Sequence, residues 1–501
     1  MTIQQLTLTD ASFLYNESAS TPMHIAAVQV FDVPAARRTT FHRDLQAHYA
    51  KRLHLVAFFT RRAVAMPLGL DHPVWESCAV DLDHHIRQVQ LPAPGSRAQL
   101  EAMIADLHAQ PLDRNRPLWR YWVIEGYEGD KTVFYTKMHH SAIDGMAGQA
   151  LLDLMYSDTP DVADDVVEAR AEVHSNPAER MGHAMRSLVL EPWRQAARLA
   201  EQWDALRRMG THLARGRDLG AYTRPAPSSP LNVSVGRRRS FAIGTLPLPA
   251  MRALAKAQGA KLNDVFMAVC AGALREHLLA TGSLPPTSLL AGVPVSLREP
   301  GDAAMNNQVT MMLCSLATEI ADPVERLKAV RDSAGTAKRV VAMTKELMAA
   351  DAHVPGLPGA MAMLAGVSAL LPPGVPIPAF CNVVISNVPG PRRAKFLLGA
   401  RMLTHHPVSI AAHGLAVNLT VQSYVDRMDF AVTACHAALP DADVLRDRML
   451  AAWEALHARG MPAMAASATE SAQASGAAVT TGPAPANAVP GAANKTDLLA
   501  A

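Results

Sequence analysis

The segment Lys137-Met-His139-His140-Ser-Ala-Ile-Asp144-Gly145 constrains this chain more than any other. An apolar, β-branched run from Thr132 to Met138 leads into it, and small and apolar residues at helical spacing follow from Met146 to Met155. Two histidines therefore stand at a strand-to-helix turn, the kind of element end on which site residues sit. An imidazole there, with a carboxylate close in sequence, suits a general base that deprotonates a hydroxyl or an amine. Neighbouring strand residues point to opposite faces, so only one of the pair can be that base. The alternative is a polar turn with two satisfied histidines. Asp144 is assigned a structural role in the site, and Gly145 permits a close or φ-positive turn. A second pair, His405-His406, has no Asp-Gly after it and reads as ordinary.

With 501 residues the chain exceeds what one hydrophobic core organises, and 49% hydrophobic residues suffice for large cores. A net charge of +2 and only 5% aromatic residues argue against a nucleic-acid partner. The five cysteines are isolated, without CxxC spacing, which predicts a reducing, cytoplasmic setting. Residues 1–10 lack a basic stretch followed by an apolar one, so no secretory signal is expected. Residues 352–391 hold no Asp, Glu, Lys or Arg. Their apolar core lies between Pro358 and Pro372, shorter than the about 20 residues a spanning helix needs, which predicts a buried or interfacial helix.

The pattern of elements predicts two packed α/β units. The first covers residues 1–156, with strands at Met23–Phe31 and Thr132–Met138 and a helix at Thr39–Lys51. Residues 157–236 form an Arg-rich helical connector, whose basic face is either solvated or turned to an anionic membrane. The second unit covers 237–460. Its strands are expected near Ser240, at Ser288–Val295, Gln308–Leu316, Asn382–Ser386, Leu415–Gln422 and Met428–Cys435, with helices at Leu248–Gln258, Leu262–Thr281 and Asp441–Arg459. Residues 461–501 are Ala-, Pro- and Ser-rich and cannot bury enough surface to order themselves. No third ligand stands at a recognisable spacing from the His-His-Asp group, so no metal is expected.

Four motifs, HHSAIDG, Pro117-Leu118-Trp119, Asn263-Asp264 within KLNDVFMA, and Ser386-Asn-Val-Pro-Gly-Pro391, resemble the bacterial wax ester synthase/acyl-CoA:diacylglycerol acyltransferase family across residues 5–460. HHxxxDG alone is shared with peptide-synthetase condensation domains and chloramphenicol acetyltransferase-like enzymes; the other three in this order are more specific. The resemblance implies a two-domain α/β, CoA-dependent acyltransferase fold with a channel between the halves. It implies transfer of a long-chain fatty acyl group from acyl-CoA to a fatty alcohol or a diacylglycerol, with His140 as base, no acyl-enzyme and no cofactor beyond the acyl-CoA substrate.

Within the same resemblance His139, Asp144 and Gly145 complete the catalytic motif, and Asn263, Asp264 and Asn387 support it or merely hold backbone. Arg298 either pairs with Asp144 or ends a strand at the surface. Pro117, Leu118 and Trp119 are expected near the channel. Arg237-Arg-Arg239 and Arg392-Arg393 are candidates for the CoA phosphates or solvated runs, and Asn306-Asn307 departs from the family's Gly-Asn. Peripheral contact with a membrane's inner face or a lipid droplet is expected. Two rival readings are a condensation-type catalyst using carrier-tethered donors and a non-catalytic lipid or membrane binder.

Overall fold

A computed structural model describes residues 4–143, 145–160, 176–187, 189–190, 207, 219–296, 309–348 and 370–461. Asp144, Arg298, Asn306-Asn307, most of the connector, residues 352–369 of the charge-free stretch and the tail lie outside the described residues.

The strands are β1 Gln4–Gln5, β2 His24–Asp32, β3 Arg61–Val64, β4 Val74–Ser77, β5 Ile86–Gln90, β6 Trp119–Tyr127 and β7 Lys131–His139 in the first part of the chain. The later ones are β8 Arg239–Pro247, β9 Leu290–Ser296, β10 Val309–Ser315, β11 Val383–Val388, β12 Phe396–Leu397, β13 Ala400–Val408, β14 Val417–Tyr424 and β15 Arg427–Cys435. They form two six-stranded sheets, β12-β13-β2-β7-β6-β5 and β10-β9-β11-β14-β15-β8, and a small sheet β1-β4-β3. The architecture is the two-unit α/β fold expected from the sequence.

Both faces of the first sheet are covered, which is why every residue of β7 from Thr132 to His139 is buried. Phe134 and Met138 face one cluster, with Tyr49 and Leu151 from the helices α2 (Phe41–Arg52) and α5 (Gly145–Met155). Val133 and Tyr135 face the other, against Leu100 and Ile104 of the helix Arg97–Ala109. That last helix starts from a capping box in which the Ser96 hydroxyl accepts from the Gln99 N–H and the Gln99 side chain accepts from the Ser96 N–H. Helices Leu248–Ala257, Leu262–Ala280, Pro323–Met348 and Ala442–Gly460 pack on the second sheet. Leu262–Ala280 is apolar on nearly every side from Val265 to Leu274 because it runs through the middle of that core.

One crossover joins the halves. Residues 396–408 leave the second unit and extend the first sheet, with β13 antiparallel to β2 and His405 opposite Gln29. Phe241, Ile243, Val408 and Ala431 then share a cluster with Val28, Val30 and Tyr135. Among the described residues β13 pairs at Pro407 with β2 alone, so a residue without an N–H is tolerated there.

Candidate active site

His139 ends β7 and His140 follows it, its backbone N–H held by the Met23 carbonyl at 2.9 Å. As the alternation demands, the two rings part. His139 is buried on the face of Tyr135 and Lys137, while His140 is half-buried and borders a cavity on the other face, that of Thr136 and Met138. The His140 ring stacks on Phe13 of the helix α1, Leu8–Tyr15, with centroids 4.1 Å apart and planes 6° from parallel. A pair of this kind contributes about 0.5–1.5 kcal/mol beyond area burial and fixes the ring plane.

Behind His140 the protein keeps a buried polar cluster. The Ser141 backbone N–H points at His139 Nδ1 (3.1 Å). A backbone N–H can only donate, so Nδ1 accepts and the His139 proton sits on Nε2. That nitrogen lies 3.3 Å from Glu17 Oε1, as does His24 Nε2. The other Glu17 oxygen takes two N–H bonds from Arg114, at 2.7 and 2.9 Å. Burial would raise the Glu17 carboxyl, but the imidazoles around it outweigh that and hold it well below the usual carboxylate range. For His24 burial wins over the carboxylate, and its pKa falls to about 3, so the ring stays neutral. Lys137 donates to the Leu107 and Gln110 carbonyls (2.7 and 2.8 Å) at the end of the helix Arg97–Ala109. Burial, with Arg120 nearby, brings its pKa down to about 7.

The cavity bordered by His140, about 140 Å³, is built by both halves. Ile25, Ala27, Tyr49, Tyr121, Met138, Leu151 and Leu152 come from the first unit, and Ser386, Val388, His405, Thr420 and Gln422 from the second. Such a pocket, apolar with a few polar groups, is the expected form of a small-molecule site. A larger cleft, about 700 Å³, lies on the opposite face of the first sheet among Arg97, Lys131, Arg401 and Arg427. No described residue of the HHxxxDG segment borders it, so it is not the cavity that His140 faces. Among the described residues no group of three His, Cys, Asp or Glu side chains is arranged to hold a metal ion.

The other motif residues fall at defined places. Gly145 begins α5, directly after the His140 turn. Trp119 is buried against Tyr49, Phe59 and Tyr121, its Nε1–H donating to the Phe59 carbonyl (3.1 Å). Leu118 belongs to a separate small cluster and Pro117 is buried beside it. Tyr49 and Tyr121, not Trp119, reach the cavity wall. In the Ser386–Pro391 motif, Ser386 and Val388 face the cavity, and alternation turns Asn387 to the other side. A side chain at Gly390 would overlap the Ser423 carbonyl oxygen, so the glycine lets this turn close on β14. Asp264 caps Leu262–Ala280 by accepting from the Lys261 N–H (2.9 Å), while Asn263 is half-buried next to it. Arg239 is buried and donates to the Gly236 and Ser20 carbonyls, both 2.6 Å, whereas Arg237, Arg238, Arg392 and Arg393 are exposed.

Phe13, Glu17 and His24 had no signal in the sequence reading, and His405 read as ordinary although it lines the same cavity as His140. The only available signal for the first two was a capped helical pattern close to the N-terminus: the Thr7 hydroxyl accepts from the Asp10 N–H.

Fold and site together define an acyltransferase of the HHxxxDG type, and comparison with known proteins narrows the class. A model of the wax ester synthase/diacylglycerol acyltransferase catalytic domain matches residues 6–266, and one of the WS/DGAT C-terminal domain matches 305–457. The O-acyltransferase WSD of Acinetobacter baylyi is 33% identical over 442 residues, which is 86% of this chain and 92% of that protein. The wax ester synthase/diacylglycerol acyltransferase of Marinobacter aquaeolei VT8 superposes with a TM-score of 0.65 at 28% identity, over 91% of this chain and all of the other. The first condensation domain of the calcium-dependent antibiotic synthetase shares the fold, with a TM-score of 0.56 at 16% identity over 92% of this chain and 97% of that one. The chain belongs to the wax ester synthase/diacylglycerol acyltransferase family.

Proposed function

We propose that the protein moves a long-chain fatty acyl group from acyl-CoA to a fatty alcohol, giving a wax ester, or to a diacylglycerol, giving a triacylglycerol. The observation that carries this reading is the position of His140: it borders a mostly apolar cavity built by both halves, with its ring plane set by Phe13. In the proposed step the His140 imidazole takes the hydroxyl proton as the oxygen attacks the thioester carbon. A C–O bond forms, the tetrahedral adduct collapses with loss of the C–S bond, and the proton passes to the CoA sulfur, leaving a neutral imidazole. No acyl-enzyme is needed. General-base assistance of this kind contributes about 10²–10⁴-fold in rate.

Contact with a membrane or lipid-droplet surface is part of the proposal. Residues 370–380 carry no charged side chain and leave Leu370 82% and Phe380 54% exposed. Backbone bonds pin this stretch to Asn232 and Ser234 of the adjoining segment. Among the described residues no helix is long and apolar enough to cross a membrane.

The test is product identification. The purified protein given palmitoyl-CoA and either hexadecanol or a diacylglycerol is expected to form the corresponding ester with one CoA thiol released per ester. Thiol release that ignores the acceptor, or no ester with either, would refute the assignment.

A further inference from the structure

We infer that the cavity beside His140 receives one unbranched hydrocarbon chain end-on, and that Gly148 and the Gln29–Tyr156 pair set the length of chain it accepts. The inference rests on the acyl-transfer reading and names specificity residues for it.

Two elements run away from the catalytic turn together. β2 passes from Ile25 beside the turn to Gln29, and four residues at about 3.4 Å each place Gln29 about 14 Å deeper. The helix α5 starts immediately after the turn and ends at Met155, which brings Tyr156 to the same depth. Between them the wall is mostly apolar, from Ile25, Ala27, Met138, Leu151 and Leu152, with Thr136 beside Ala27 as its polar member. The floor is not. The Tyr156 hydroxyl donates to Gln29 Oε1 at 2.7 Å, both side chains being buried. His405, paired across the sheet with Gln29, adds a buried imidazole whose Nδ1 has no hydrogen-bond partner among the described residues.

An alkyl chain gains with each methylene it lays on the wall. A methyl group forced against Tyr156, Gln29 and His405 would desolvate polar atoms and return nothing, so the chain stops there.

Gly148 supplies the width. It lines the cavity from the first turns of α5, and a Cβ placed on it meets no atom of the described residues within 4 Å. A glycine inside a helix costs stability relative to alanine, and neither its backbone conformation nor a close neighbour requires one here. The open space is what its missing side chain leaves to a ligand.

The hydrocarbon can be the acyl group of the donor or the alkyl group of the alcohol, so the experiment has two arms. Thiol release is measured with octanoyl- to stearoyl-CoA against a fixed alcohol, and with octanol to octadecanol against palmitoyl-CoA, for wild type, Gly148→Leu and Tyr156→Ala. Calorimetric binding of the same chains is recorded in parallel. Tyr156→Ala should move the preference to longer chains and Gly148→Leu to shorter ones. The long-to-short ratio of kcat/KM should shift by about tenfold each way, the size expected for one or two methylenes of burial. The arm in which this happens identifies the chain.

Gly148→Leu adds to open space, so it keeps the test decisive if Tyr156→Ala does not fold. Profiles unchanged in both arms by a folded variant overturn the assignment. If wild type released no thiol with any donor, the transfer reading would fall, and the binding limits would still decide. Limits moved by the variants uphold the cavity assignment, and unmoved limits overturn it.

Discussion

One backbone N–H settles the state of His139: Ser141 donates to Nδ1, so the remaining proton faces Glu17, and the ring becomes part of the scaffold behind the His140 turn. His140 is left to face the cavity. Glu17 is the centre of that scaffold, holding Arg114 with one oxygen and facing His24 and His139 with the other. Replacing it with glutamine removes a buried charge from partners that need it. The urea midpoint of Glu17→Gln should fall by the equivalent of about 1–3 kcal/mol, and the transfer rate should fall with it. A variant with unchanged midpoint and rate would show that the carboxylate positions nothing. The HHxxxDG segment itself was legible in the sequence as a pair of histidines at the end of a strand. Phe13 and Glu17 were not, because more than a hundred residues separate them from His140 and only folding brings them together.

At the scale of elements, β7 and the helix Arg97–Ala109 are tied by Lys137, whose ammonium closes the helix end on the carbonyls of Leu107 and Gln110. Lys137→Met keeps the bulk and leaves those carbonyls without their donor, so it should destabilise by about 1–3 kcal/mol in urea unfolding. The pH dependence is a sharper sign. The folded Lys137 gives up its proton near pH 7, whereas the unfolded lysine keeps it to about 10.5. The unfolded chain therefore binds more protons across that interval, and this group makes stability rise from about pH 7 toward the range near 10 where tyrosines titrate. Lys137→Met should flatten that rise; an equally steep rise in the variant would assign it elsewhere.

Most sequence-based strands and helices match those observed to within a few residues, since their apolar periodicity survives in the buried faces. β13 escaped because His405, His406 and Pro407 interrupt its apolar pattern, and its role depends on a partner strand from the other half of the chain. His405 was dismissed for the same reason: what makes it relevant is its place opposite Gln29.

Across the whole molecule the crossover at 396–408 makes the two halves share one core, and buried neutral histidines stand in and around it. Burial lowers His405 and His85 to about 4 and His24 to about 3. In the unfolded chain each takes a proton near its ordinary value of 6.5, so stability is expected to fall as pH drops from about 6.5 to 4. Thermal melts across that window should show a cooperative loss involving both halves. Melting temperatures independent of pH there would mean that these imidazoles take up protons as readily in the folded chain as in the unfolded one.

The proposed role of His140 is that of the base in transfer from acyl-CoA to a lipid hydroxyl. It is tested most directly by following thiol release from palmitoyl-CoA with hexadecanol or a diacylglycerol, for wild type beside His140→Ala of matching circular dichroism. Acceptor-dependent release, slowed about 10²–10⁴-fold in the variant, is expected. Release within a few-fold of wild type would contradict the mechanism.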